Sequence, residues 1–360
     1  MKILGIESSC DETAAAVVED GRRLVSNVVH SQIDIHAEYG GVIPEVAARS
    51  HIEMINPVIN RAIAEANCAW EDIDAIAVTY APGLVGSLLV GALAARTLAI
   101  TKNKPLFPIH HVEAHVYANF ITEASGNLNL ELPSKQPEFP MLALIVSGGH
   151  TQLVLFRDHG DYELLGQTQD DAVGEAFDKV AKILGLPYPG GPAISAAALN
   201  GEPKAYSLPK SKLQNPYDFS FSGLKTAVLR AVQREVGVDI NFPSHELSGL
   251  LDAKQKHNFA ASFQYVAIET LVDKTEKAFQ EYNPASVVIA GGVAANSELR
   301  SQLRQRLPID IEYAPMSLCT DNAAMIATLA YYQAQVLDPC DPYSLEVIPS
   351  LSMTKTAWKK

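Results

Sequence analysis

Residues 110–115 read HHVEAH and hold three of the ten histidines in the chain. On a helix, His111 and His115 are four residues apart, hence only ~40° apart around the axis, and can bind one cation together. His110 points elsewhere. A zinc peptidase of the HExxH type needs Glu directly after the first His, as general base on the metal-bound water. Val112 stands at that position, and Glu113 lies ~200° around the helix from His111. Peptidase chemistry therefore lacks its base. Two histidines at this spacing are equally the mark of a polar helix face, so a metal site requires a third ligand. Asp321, at the start of a helix just after Cys319 and Thr320, is a candidate carboxylate. Spacing along the chain does not bring it there.

A second group of residues could hold a nucleotide. VSGGHT (146–151) follows an apolar run, and its paired glycines, Gly148 and Gly149, let the backbone approach a ligand and turn amides toward an anion. Ser8 and Ser9 occupy the equivalent turn near the N-terminus, which puts Asp11 and Glu12 beside the same ligand if two similar halves face each other. GGVAAN (291–296) opens a helix after the strand SVVIA, so its glycines could admit a base or ribose, with Asn296 supplying an amide. Taken singly, each has a plainer reading. A GG after a strand is usually a turn, Asp178 in mid-helix is usually a solvated carboxylate, and Gly191 ends a turn.

The elements that must position these residues are written twice. KILGIESSCDETAAAVVEDG (2–21) and MLALIVSGGHTQLVLFRDHG (141–160) share one grammar at a constant offset of 139 residues: an apolar strand, a tight polar turn, and a second strand ending in an acid and a Gly. Residues 74–99 and 285–307 are each a buried strand, a Gly-containing turn and a helix. This predicts an α/β protein of two duplicated lobes: a first lobe over 1–121, a connector over 122–139, a second lobe over 140–336 and a tail without strong pattern over 337–360. Within the second lobe, 170–186 is an amphipathic helix with Val173, Phe177, Val180 and Leu184 on one face, stopped by PYPGGP. Residues 254–282 form a long helix closed by Asn283 and Pro284, and Thr320 is a plausible N-cap for the helix that follows.

Composition narrows the classes. A chain of 360 residues, 48% hydrophobic and 19% charged, suits a globular enzyme of two domains. The N-terminal residues lack a long apolar core, so export is not expected. The most apolar stretch, Leu84 to Ile100, is interrupted by Arg96 and falls short of the ~20 residues of a membrane span. It predicts a buried helix and no membrane partner. Four scattered cysteines without a CxxC pair support neither a disulfide framework nor a zinc ribbon and fit a cytoplasmic setting. A net charge of −13 disfavours a broad hold on nucleic acid. An RNA substrate would need a local cluster, for which Lys204, Lys210, Lys212, Lys225 and Arg230 are candidates, or a helper protein.

Together, GIESSCDET, HAEYGGVIPEVAARSH (36–51), HHVEAH, VSGGHTQL, DDAVGEAFDKVAKILGLPYPGGP (170–192), FSFSGLKTAV (219–228), GGVAANSELR and CTDNAAMIA (319–327) resemble the tRNA adenosine threonylcarbamoyltransferase family, the TsaD type, in order from about residue 2 to 335. The resemblance implies the two-lobed fold of the actin, Hsp70 and sugar kinase superfamily with its ligand in a cleft. It implies transfer of a threonylcarbamoyl group from threonylcarbamoyl-AMP to N6 of the adenosine beside the anticodon in tRNAs reading ANN codons. Carried over residue by residue, His111, His115 and Asp321 would hold one metal ion, iron or zinc. Ile145, Val146, Ser147, Gly148 and Gly149, with Asp178, Gly191, Ser195 and Asn296, would bind the acyl-adenylate, or ATP or AMP in the same cleft. Asp11 and Glu12 match acidic positions important for activity.

As partners the resemblance implies tRNA, a paralogous ATPase-fold protein (TsaB type), a small P-loop ATPase (TsaE type) and an upstream synthase that makes the adenylate. Because the substrate is an activated mixed anhydride, no covalent nucleophile is needed, and Cys10 reads as a packed turn residue. Three departures stand out. Some relatives carry Asp where Ser195 stands, archaeal and eukaryotic relatives carry Tyr in place of Ile145, and the segment 241–258 is longer than usual. The competing expectations are a metal-dependent peptidase and an ATP-binding regulatory protein or small-molecule kinase of the same superfold.

Overall fold

The computed structural model describes residues 1–126, 128–311 and 313–355; residues 356–360 of the tail thus lie outside the described residues. The chain divides into two compact units. The first comprises residues 1–141, the short stretch 156–163 and the chain beyond residue 311, and the second comprises 142–155 and 164–311.

The first unit is built on a sheet of β1 (Lys2–Glu7), β2 (Glu12–Glu19), β3 (Arg23–Ser31), β4 (Ala75–Ala81), β5 (Leu106–His110) and β6 (Glu123–Ala124). Their order is β5-β4-β1-β2-β3-β6. β1 pairs antiparallel with β2 and parallel with β4, so the sheet is mixed. The near-continuous apolar runs KILGI and TAAAVV suit strands covered on both faces, and these residues are buried apart from the half-exposed Lys2. Leu4 and Ile6 point into a core with Ile55, Val58, Ile59 and Ala62 of the helix Pro44–Glu65 and Ala92 and Ala95 of the helix Val85–Lys102. Strand alternation turns Ile3, Gly5 and Glu7 to the opposite face. There the small-residue helix Ala323–Gln333 lies so close that a Cβ on Gly5 would come 2.3 Å from the Ala323 carbonyl oxygen.

That contact explains why the division of the chain is not contiguous. The segment after residue 311, placed with the second lobe and tail on sequence grounds, belongs to the first unit because its helix covers this sheet. The connector is also tied here: β6 extends the sheet beside β3, and the Gln136 amide donates to the Phe120 carbonyl and to the Tyr332 hydroxyl, each at 2.9 Å.

Two expectations need correction. The cap of Ala323–Gln333 is Asn322, whose side chain accepts from the Met325 amide at 3.1 Å, whereas Thr320 ends the short helix Met316–Cys319. Asp321 is therefore left between two helices. The helix Val85–Lys102 is also not buried all round. Leu88, Ala92, Ala95 and Ala99 face the core, but Val85, Leu89, Leu93 and Ile100 are exposed. Of the described helices it is the one long and apolar enough to cross a membrane, yet its inner face packs on β4 and the helix Pro44–Glu65, as a core helix does.

The second unit carries β7 (Met141–Val146), β8 (Thr151–Asp158), β9 (Asp161–Gln167) and β10 (Ser286–Ala290) in the order β10-β7-β8-β9. The tip of β8 and β9, residues 156–163, counts with the first unit. Every boundary of β7 and β8 repeats that of β1 and β2 at the offset of 139 residues, and β10 takes the place beside β7 that β4 takes beside β1. Gly21 and Gly160, at equivalent turns, both have positive φ, 64° and 69°. The duplication is thus carried by strand lengths and sheet order.

Around this sheet run helices Val173–Leu184, Gly190–Ala198, Ser222–Glu235, Ala253–Tyr282 and Ser297–Arg306. Val173–Leu184 stops at Gly185 with φ of 68°, and Ala253–Tyr282 at Asn283 with φ of 45°, the left-handed stop that glycine and asparagine tolerate best. Within 241–258, the turn Leu247–Gly249 buries Leu247 and packs on the helix Val173–Leu184.

Candidate functional site

In the first unit, β5 runs directly into the helix His111–Tyr117. His110 is its N-cap, and the ring Nδ1 accepts from the Glu113 amide at 3.4 Å. The imidazoles of His111 and His115 meet edge to face, with Nε2 atoms 3.2 Å apart. Asp321 Oδ1 lies 3.6 Å from His111 Nε2 and 3.2 Å from His115 Nε2. These separations match the ~3.3 Å edge set by ligands about 2.0–2.1 Å from a tetrahedral metal ion. Two imidazole nitrogens and a carboxylate oxygen within 4.8 Å of one another form a donor set suited to a cation. Asp321 is the most open of the three, with 19% of its side chain exposed.

Behind the triad sits Glu7, which sequence reasoning passed over. It is fully buried, and Oε2 lies 3.0 Å from His111 Nδ1 and 2.6 Å from the Thr79 hydroxyl. Oε1 accepts from the Ser9 amide at 2.5 Å, and the Ser9 hydroxyl is 3.1 Å from the same Nδ1. Burial pushes the Glu7 carboxyl up, but the charge and hydrogen bond of His111 outweigh it and hold it below the ordinary range. Burial alone would lower the His111 pKa; the carboxylates of Asp321 and Glu7 raise it instead to about 9. The available signal was an acid closing an otherwise apolar strand, KILGIE.

Asp11 ends the β1–β2 turn and is buried, and Glu12 opens β2 and is half-buried. Burial first, then the charges of Asp321 and Asp11, push the Glu12 carboxyl up to about 10. Burial first, then the charges of Asp11 and Asp321, push the Cys10 thiol far above its ordinary value. Glu113 is fully buried and accepts from the Tyr162 hydroxyl at 3.3 Å. Held in that way, it does not take the place of an HExxH base.

The tail, patternless in sequence, is strapped along this unit. The Ile348 amide donates to the Tyr80 carbonyl, the Gly83 amide to Pro349, His110 Nε2 to Leu351 at 3.0 Å, and the Tyr162 hydroxyl to Met353 at 2.8 Å.

In the second unit, the turn after β7 is closed by Ser147, whose amide donates to the His150 carbonyl and whose hydroxyl accepts from the His150 amide. Gly148 and Gly149 are exposed, and a Cβ on either, or on Gly191, would meet nothing within 4 Å. There is room above these backbones for a ligand. Gly174, in the first turn of the helix Val173–Leu184, donates to the Ser147 carbonyl at 3.2 Å, so the turn sits against that helix end. Ile145 and Val146 are fully buried in β7. Asp178 Oδ1 accepts from the Gly190 amide at 2.7 Å, which ties it to the start of the Gly191 helix.

Asn296 caps the helix Ser297–Arg306 through its oxygen, while its nitrogen donates to the Ser195 hydroxyl and to Gln264 Oε1, each at 3.0 Å. Ser195 itself donates to Gln264 at 2.9 Å. Gln264 was missed because nothing local distinguishes it on its long helix. Of the candidate cations, Lys210 pairs with Glu269 and Asp273, Lys225 with Asp171, and Lys204 lies over the Tyr265 ring. Arg230 donates instead to Gln233 and to the Ile240 carbonyl.

The profile described as "TsaD: tRNA N6-adenosine threonylcarbamoyltransferase" matches residues 23–328. The chain belongs to this family. The tRNA N6-adenosine threonylcarbamoyltransferase of Thermomicrobium roseum is 52% identical over 342 residues, covering 93% of this chain and 92% of the relative. That of Symbiobacterium thermophilum is 50% identical over 356 residues, covering 98% and 96%. Among solved structures, HypF of T. kodakarensis superposes with a TM-score of 0.58 at 12% identity over 93% of this chain and 48% of that one. This last likeness concerns the fold alone.

Proposed function

We propose that this chain is the threonylcarbamoyltransferase its family name describes: it moves the threonylcarbamoyl group of threonylcarbamoyl-AMP to N6 of the adenosine adjacent to the anticodon in tRNAs reading ANN codons, releasing AMP. The observation that carries the reading is a triad from distant parts of the chain, His111, His115 and Asp321, converging within 4.8 Å in a protein similar to named transferases over nearly its whole length.

These three residues would hold one metal ion, iron or zinc, which when bound supplies a Lewis acid for an acyl or phosphate oxygen. The open amides of Gly148 and Gly149 on the Ser147 turn bind the anionic part of the adenylate, a role helped by the positive end of the adjoining helix. Asp178 orders the Gly190–Gly191 backbone, and Ser195 and Asn296, bridged by Gln264, present hydroxyl and amide groups to ribose or adenine. Ile145 and Val146 contribute as the rigid strand that aims the turn. Adenine N6 is a poor nucleophile, so positioning and proton removal supply the rest of the acceleration. Asp11, buried beside the triad on the β1–β2 turn, is the residue assigned to take the N6 proton.

The chain acts in the cytoplasm with helpers. The formal net charge is −13 and two of the candidate cations, Lys210 and Lys225, are paired with carboxylates, so a protein partner adds positive surface for tRNA. The exposed apolar stripe Val85, Leu89, Leu93 and Ile100 supports a paralogous partner of the TsaB type. A small P-loop ATPase of the TsaE type and an upstream synthase complete the set. The test is incubation of the purified protein and these partners with unmodified tRNA, threonine, bicarbonate and ATP, followed by nucleoside mass analysis. Replacing His111 by Ala should abolish metal retention and transfer together. Normal modification by the metal-free variant removes the metal from this reading, and no modified nucleoside from the complete wild-type mixture removes the reading itself.

A further inference from the structure

We infer that Glu7 is a positioning residue for the metal centre: one carboxylate oxygen aims His111, and the other ties that ligand to the turn bearing Asp11 and Glu12. The inference rests on the proposed ligand set of His111, His115 and Asp321.

Three facts lead to it. First, Glu7 is fully buried at the end of β1, on the sheet face shared with Gly5 and covered by the helix that follows Asp321. A carboxylate so placed must satisfy both oxygens. Second, its partners are all accounted for and all donors: Thr79 hydroxyl and His111 Nδ1 on Oε2, Ser9 amide on Oε1. With a metal bound, a carboxylate facing Nδ1 would keep the ring proton on that nitrogen and leave Nε2, which faces His115 Nε2 and Asp321, as the ligating atom. Third, Ser9 belongs to the turn that carries Asp11, so a single side chain spans the ligand and the acids.

Glu7→Gln keeps the shape but turns one acceptor into a donor, so it cannot accept from His111 Nδ1 and the Ser9 amide at once. The full chain is stripped with a chelator and titrated with cobalt(II), whose visible absorption reports ligand geometry, while melting of the metal-free protein reports folding. Glu7→Gln should bind cobalt roughly 10- to 100-fold more weakly than wild type with an altered spectrum. At saturating metal it should show a lower kcat with KM for tRNA unchanged. Thr79→Val, which removes one donor to Glu7 and keeps the volume, should weaken cobalt binding less.

Wild-type cobalt affinity and spectrum in Glu7→Gln overturn the inference. If that variant does not fold, Thr79→Val decides, and wild-type affinity there overturns it. A wild-type kcat for Glu7→Gln at saturating metal overturns the link to the turn. Wild-type protein that takes no more cobalt than Asp321→Ala overturns the ligand-set reading instead, which keeps the two failures distinguishable.

Discussion

Buried polar side chains in the first unit hold the β1–β2 turn by closing each other's hydrogen bonds, and His51 shows what that costs at acid pH. Its Nδ1 lies 2.8 Å from the Thr13 hydroxyl and its Nε2 3.0 Å from the Cys10 carbonyl. A carbonyl only accepts, so Nε2 carries the proton and Nδ1 accepts from Thr13; the ring is neutral. Burial holds the His51 pKa below its ordinary value, and the Cys10 carbonyl bond offsets this only in part. His159 is lowered in the same direction, again by burial. For such a group the folded value lies below the unfolded one, so its contribution is complete above about pH 6.5 and is lost as pH falls toward the folded value. The part of the stability that His51 contributes, read by urea unfolding as the difference between wild type and His51→Gln, should therefore shrink as pH falls below about 6.5. His51→Gln should be less stable at neutral pH but show a shallower decline. An equal slope in the variant removes His51 as a source of acid sensitivity.

At the scale of elements, the decisive contact is between β1 and the helix Ala323–Gln333. Gly5 permits it, since a Cβ there would press within 2.3 Å of the Ala323 carbonyl oxygen and 2.9 Å of the Ala327 amide nitrogen. Both are backbone atoms and cannot swing away. Gly5→Ala should destabilise the protein by about 1–3 kcal/mol, the range for overpacking a filled core, and should lower metal retention, because Asp321 enters the site from the head of that helix. Gly126→Ala, where a Cβ meets nothing within 4 Å, is the control and should change stability by less than about 0.5 kcal/mol. Denaturant midpoints of the two variants check this, and equal midpoints would refute the close-approach argument.

For the molecule as a whole, charge and apolar surface point to assembly. The formal net charge is −13, and several cations of the second unit are paired internally, as Arg306 is with Asp273 and Glu276. Association with tRNA by this chain alone should be weak at physiological salt and strengthen when a protein partner supplies clustered cations. The stripe on the helix Val85–Lys102 is the surface to test: Leu89 is 44% and Leu93 55% exposed. Changing both to Glu should abolish partner binding and partner-dependent transfer while leaving cobalt retention unchanged, since both side chains lie on the exposed face of the helix. Sedimentation of the mixed proteins reads the first effect and nucleoside analysis the second.

Short-range patterning determined much of this protein. Strand length, turn residues and helix stops are set by neighbours a few positions apart, so the repeat at 139 residues and the stops at Gly185 and Asn283 were visible in the sequence. Tertiary structure decided what depends on which faces meet. The apolar helix Val85–Lys102 carries no pattern to say which side packs, and only the fold leaves Leu89 and Leu93 outside. Thr320 and Asn322 are both good caps, and the short helix ending at Thr320 selects Asn322. The pairing of Lys210 and Lys225 with acids is likewise invisible in a list of residues. Asp321 reaches His111 and His115 because the tail end of the chain folds back over the first sheet, where Gly5 lets a helix close in and strand alternation turns Glu7 to the same side.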